Sequence, residues 1–206
     1  MQPLDIIFSI AVLIMSVVVH EVSHGYAASL LGDQTARYQG RLTLNPLKHL
    51  DPVGSILVPI LTSFGGFVFG WAKPVPFNPY NLRNQRWGEL IVAAAGPLSN
   101  LTIALVFGLL IRLTSVNNFL PDSFVTISAI IVGINIVLAI FNLVPIPPLD
   151  GSKILFAFLP AHLQHIREFL ERYAFFLVIL FVFFLWKLFS PIIVWLFALL
   201  TGLPLG

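Results

Sequence analysis

The chain contains no cysteine. That excludes a disulfide framework and any thiolate metal site, so a metal would have to be held by imidazoles and carboxylates. Charge is scarce too: 11 Lys and Arg and 9 Asp and Glu among 206 residues, or 10% charged, where soluble domains carry roughly 25%. A net charge of +2 spread this thinly excludes a nucleic-acid surface. Residues 1–5 hold no Lys or Arg, so no cleaved signal peptide is expected. There is also no internal repeat, low-complexity tract or long linker. What fills the chain is apolar: 58% hydrophobic residues, with Phe alone at 19, and a mean hydropathy of +0.95. One water-facing core of this size cannot hide so much apolar surface. The chain belongs in a bilayer.

The first apolar stretch, 6–19, continues in helical pattern through Gly25, Ala27, Ala28 and Leu31, and Gly32-Asp33 supplies a stop. Further stretches cover 53–70, 90–113, 123–146 and 174–200. Small residues at 93–96 suit close helix packing in lipid. The fold expected is an α-helical integral membrane protein with about four spanning helices, forming a single domain over 1–206. Gly54, Pro59, Gly65 and Gly66 make 53–70 a re-entrant or surface hairpin rather than a crossing. Basic residues lie in the flanking loops, at Arg37, Arg41, Lys48, Lys73, Arg83 and Arg86, and none lies in 114–122. The positive-inside rule then puts 32–52, 71–89 and 151–172 in the cytoplasm and the N-terminus outside. Alternation over 36–44 predicts a short cytoplasm-side β-strand. The run 72–79, broken by prolines, predicts an edge strand or extended loop. Helical spacing of Leu159, Leu163, Ile166, Leu170 and Tyr173 predicts an amphipathic helix at the interface, in contact with membrane lipid.

Within the first membrane helix stands His20-Glu21-Val22-Ser23-His24, the H-E-x-x-H pattern. Residues four apart share a helix face, so both imidazoles can reach one metal. Glu21 sits beside that face, where a carboxylate can take a proton from water activated by the metal. Ionisable groups inside a membrane helix cost about 2.5–3.5 kcal/mol each and usually mark function. Interfacial snorkelling would explain their polarity but not their ligand spacing. Two imidazoles need a third ligand. Asp150 stands apart from the other acids, at the end of an apolar run interrupted by Pro145, Pro147 and Pro148. An unwound backbone at membrane depth lines a wet cavity or is buried in protein. A helix N-cap is the plainer role for Asp150, and the two roles are compatible.

Taken together, H-E-x-x-H, the run from Asn142 to Gly151 and the segment 95–100 resemble the site-2 protease family (M50) of intramembrane zinc metalloproteases. The stretches from Arg41 to Ser55 and from Gly70 to Pro79 are similar to its short bacterial and archaeal branch, without a PDZ or CBS domain. The resemblance implies one Zn²⁺ held by His20, His24 and Asp150, with Glu21 as catalytic base. It also implies Asn142 as a donor to the developing oxyanion and Asn100 as a second polar position. It implies a transmembrane protein substrate and a prokaryotic cell (inner) membrane. It sets no oligomeric state. His49 is assigned a structural role, and His162 and His165 an exposed interfacial one. On this reading the strand at 36–44 offers an edge for an unwound substrate. Two other functions use the same residues: a membrane zinc protease acting on surface-exposed or misfolded chains, and a metal transporter with His20, His24 and Asp150 as a transit site. A transporter has no need of Glu21.

Overall fold

The computed structural model describes residues 3–64, 70–117 and 121–204. Helix α1, Pro3–Leu30, exposes Ile7, Ile10 and Ile14 on one face, a surface suited to lipid rather than water. Its other face buries Ser16, His20, His24 and Ala28, a stripe of every fourth residue. Gly32, at φ 116°, turns the chain out of the helix.

The strand expected over 36–44 is not formed; among the described residues there is no strand. The segment opens instead as a helical turn, α2, Thr35–Tyr38. Asp33 Oδ1 accepts from the Thr35 backbone N–H (3.1 Å) and hydroxyl, which starts the turn. Gly40, at φ 62°, ends it, with the Arg41 N–H donating to the Ala36 carbonyl at 2.9 Å. Start and stop signals outweigh alternation where no partner strand exists. Where a re-entrant hairpin was expected over 53–70, a π-helical turn, Pro52–Leu57, runs into helix α3, Val58–Ser63; 65–69 lie outside the described residues. Asp51 caps this pair by accepting from the Val53 and Gly54 N–H groups. The chain then comes back on itself, with the Trp71 N–H donating to the Gly54 carbonyl (3.0 Å) and the Lys73 N–H to the His49 carbonyl (2.8 Å). A Cβ at Gly54 would lie 2.2 Å from the Trp71 indole, so only glycine lets them meet. Residues 72–78 are extended loop.

Two long helices follow: α4, Gln85–Asn117, and α5, Asp122–Leu143. A turn containing a cis Pro147–Pro148 bond leads to α6, Asp150–Phe158, and then to the short amphipathic α7, Gln164–Arg172. The amphipathic helix starts later than expected, after a 3₁₀ turn at Ala161–Leu163. Helix α8, Ala174–Leu180, a π-helical turn at Phe181–Leu185 and α9, Trp186–Thr201, run on as one rod. Among the described residues, four stretches, Ile6–Leu30, Gln85–Leu113, Asp122–Leu143 and Ala174–Thr201, are long and apolar enough to cross a membrane. Helix α4 is the hub and packs on α1, α5, α6 and α9. Ala104 and Ile111 of α4 meet Val132, Ile136 and Ile140 of α5 and Ile193 and Phe197 of α9 in the apolar core.

Candidate metal centre

Three helix faces meet near one end of the bundle. Helix α1 contributes its buried stripe. Helix α4 contributes Val92, Gly96 and Asn100, again every fourth residue, and α6 contributes its first residue, Asp150. The Nδ1 of His20 lies 2.6 Å from Asn100 Oδ1, and that of His24 lies 2.6 Å from the Val92 carbonyl oxygen. With Nδ1–H donating in a neutral ring, each Nε2 is left as a lone pair. Both Nε2 atoms stand 3.1 Å from Asp150 Oδ2. All three groups are buried.

Two lone pairs and a carboxylate oxygen facing one another repel unless a cation lies between them. A tetrahedron with bonds of about 2.1 Å has edges near 3.4 Å, so zinc fits this donor set with little rearrangement. Gly96 supplies the room. A Cβ built on it would lie 2.5 Å from the Nε2 of both histidines. Asp150 does not act as the helix cap, since the cap position is Leu149 and no side-chain cap bond is made. Gly151 seats the start of α6 against the end of α5; a Cβ there would lie 2.2 Å from the Leu143 carbonyl oxygen. The other carboxylate oxygen of Asp150 faces Lys153 Nζ at 3.8 Å.

Glu21 and Asn142 stand outside this trio but border one cavity of about 760 Å³, together with Lys153, Phe156 and the Pro147-Pro148 turn. Glu21 Oε2 accepts the Val75 backbone N–H at 2.9 Å. The loop carrying Val75 is clamped by buried Arg41, which donates to the Lys73 (2.9 Å) and Pro74 (3.2 Å) carbonyls. Asn142 Nδ2 donates to the Leu138 carbonyl of its own helix at 2.9 Å, which leaves its second N–H. Asp33 ties the end of α1 to the same loop, accepting from the Asn78 N–H (2.7 Å) and the Asn81 side chain (2.9 Å). Burial pushes the Asp33 carboxyl up, but the bonds from Thr35, Asn81 and Asn78 outweigh it and hold the group below the usual carboxylate range.

Of the remaining histidines, His49 is buried with Nε2 2.8 Å from the Thr43 carbonyl oxygen, while His162 and His165 are exposed. Sequence reasoning left out Asn135, Ser16 and Lys153, and it saw Gly96 only as a small residue. Asn135 carried a usable signal, a buried amide within an otherwise apolar membrane helix.

The profile of Peptidase family M50 matches residues 8–120 and 111–185. The Bacillus subtilis (strain 168) protein named "Putative zinc metalloprotease YwhC" is 39% identical over 173 residues, which cover 82% of this chain and 76% of that protein. The Mycolicibacterium smegmatis protein named "Putative zinc metalloprotease Rip2" is 36% identical over 149 residues, 70% of this chain and 54% of that protein. The chain thus spans about half the length of the latter. No solved structure matches. A profile match over most of the chain, carried on four apolar helices, makes this protein an integral membrane member of peptidase family M50.

Proposed function

We propose that the chain is a single-domain, zinc-dependent endopeptidase that hydrolyses peptide bonds of transmembrane protein substrates near the cytoplasmic side of a prokaryotic cell membrane. One observation carries the reading: Glu21 opens on the same cavity as Asn142, one residue along the helix from the first of three converging ligand groups. His20 Nε2, His24 Nε2 and Asp150 Oδ2 would hold the metal. When bound, zinc lowers the pKa of its water toward ~7 and polarises the scissile carbonyl. Glu21 Oε2 is engaged by Val75, so the proton of the attacking water goes to Oε1 and passes from there to the leaving amine. The second N–H of Asn142 serves the oxyanion. The ligand turns lie about 9–15 Å along α1 from its end at Leu30, which supports chemistry within the bilayer rather than at its surface. An apolar cavity of about 430 Å³ between α1 and α5 adjoins the larger one, which Glu21 borders, at Trp71 and Ala72, and a membrane-embedded substrate can approach through it.

Glu21→Gln tests the mechanism. The amide keeps an oxygen for the Val75 N–H and leaves the ligands untouched, so zinc content stays at the wild-type level. Cleavage falls about 10²–10⁴-fold. A transporter would keep its metal flux, since transit needs ligands and no base. Wild-type cleavage by purified Glu21→Gln would refute the assignment of the base.

The proposed topology has the N-terminus outside and both ends of 53–70 in the cytoplasm. Two features support it. The Trp71–Gly54 bond brings the segment's ends together, and the helical run Pro52–Ser63, about 18 Å long, is short of a ~30 Å hydrocarbon core. Single cysteines at Lys48, Arg83 and Asn117 report it through an impermeant label on intact cells. Only Asn117→Cys should react, and labelling of Arg83→Cys without Asn117→Cys would invert the arrangement.

A further inference from the structure

We infer that Asn135, which touches neither the metal nor the substrate, is a positioning residue that dictates which nitrogen of His20 carries the proton. The inference rests on the metal reading above. Asn135 lies fully buried in α5, where an amide is costly unless every polar atom is used. Its Nδ2 donates to the Ile131 carbonyl, one turn back in the same helix, and to Ser16 Oγ of α1, each at 2.9 Å. A carbonyl can only accept, so the NH₂ end must face Ile131 and the oxygen end must face α4.

That orientation passes along the chain of bonds. Asn135 Oδ1 can only accept, so the group 2.7 Å from it on Asn100 is the NH₂. The backbone carbonyl of Ser16, 3.4 Å from the same nitrogen, acts in the same sense. Asn100 Oδ1 therefore faces His20 and accepts its Nδ1–H at 2.6 Å. The proton is held on Nδ1, so Nε2, 3.1 Å from Asp150 Oδ2, can offer its lone pair to a metal between them, whereas without the metal that carboxylate can only accept a proton from Nε2. An Asn100 turned the other way would donate to Nδ1, favour the Nε2–H tautomer and leave no lone pair for a metal. His24 needs no relay, because its Nδ1–H meets the Val92 carbonyl directly. Both ligands are thus set by peptide carbonyls, one at first hand and the other through two amides that link α1, α4 and α5.

The test uses the full chain purified in detergent micelles, with zinc affinity read by competition with a chromophoric chelator. Asn135→Leu frees the Asn100 amide and should weaken zinc binding about 10–100-fold, the usual loss when an outer partner of a metal-ligating histidine is removed. Asn135→Asp keeps an oxygen for Asn100 and, protonated in its buried site, a hydroxyl for Ile131. Its zinc affinity should stay within a few-fold of wild type. Asn100→Asp presents an oxygen to His20 whichever way it turns, so adding Asn135→Leu to it should have no further effect. Imidazole ¹⁵N shifts read the tautomer itself in zinc-free protein carrying Asp150→Ala, which removes the carboxylate that would draw a second proton onto Nε2: His20 should leave the Nδ1–H form when Asn135→Leu is added, while His24 keeps it. Asn135→Ala carries the same expectations if the leucine variant does not fold. An unchanged His20 tautomer, an equal loss in Asn135→Asp, or an equal change at His24 would each overturn the inference. A wild-type protein that binds no zinc would instead defeat the proposed function, and the tautomer measurement would stand.

Discussion

Adding one methyl group at Gly96 should close the metal site while leaving the fold nearly intact. The Cβ of Gly96→Ala would stand 2.5 Å from two Nε2 atoms, close to 1 Å inside an ordinary carbon–nitrogen contact of about 3.4 Å. Neither side can yield easily. Helix α4 is packed tightly here, with Val92, Ala93 and Pro97 almost wholly buried. The imidazoles are tied through Nδ1 to Asn100 and Val92, which belong to α4 itself, so a retreat of the helix drags them along or breaks both bonds. Breaking outer bonds to both ligands at about tenfold each gives a loss of about 100-fold in zinc affinity, or ~2.7 kcal/mol. Overpacking adds ~1–3 kcal/mol of destabilisation. Chelator competition in micelles measures the first and thermal unfolding of the zinc-free protein the second. Gly133→Ala in α5 is the control, because a Cβ there meets nothing within 4 Å; it should bind zinc as wild type does. Wild-type affinity in Gly96→Ala would show that the metal, if bound, lies elsewhere than between these nitrogens.

Two further expectations follow from the same geometry. Asp150→Ala removes the one carboxylate facing both imidazoles and should lower zinc content and cleavage together; full zinc occupancy in the purified variant would send the search to other carboxylates. Asp33 has its folded pKa below the unfolded value, so its contribution to stability is complete above about pH 4 and is lost as pH falls through the folded value. Asp33→Asn should cost about 1–3 kcal/mol at neutral pH, because its NH₂ would confront the Asn78 N–H, and should flatten the acid loss of thermal stability below about pH 4. An acid limb as steep in Asp33→Asn as in wild type would remove Asp33 from that role.

Features that depend on neighbours along the chain were legible in the sequence. Four apolar stretches of spanning length follow from composition. The pairing of His20 with His24 on one face follows from helical periodicity, which is local and needs no partner. Asp150 was legible only through its proline-rich setting and its likeness to a family, because no spacing rule connects residues 130 positions apart. The signals at 36–44 are local too: alternation points to a strand, but Asp33 and Gly40 start and stop a turn, and without a partner strand the turn prevails. Tertiary structure decided what lies across helix interfaces. That Gly96 faces two imidazoles, that Val75 holds Glu21, and that Asn135 reaches His20 through Asn100 all depend on how α1, α4 and α5 rotate and pack. Periodicity says which residues share a face but not which faces meet. In lipid, where the outer faces are as apolar as the inner ones, hydropathy cannot supply that choice; small residues and buried hydrogen bonds make it.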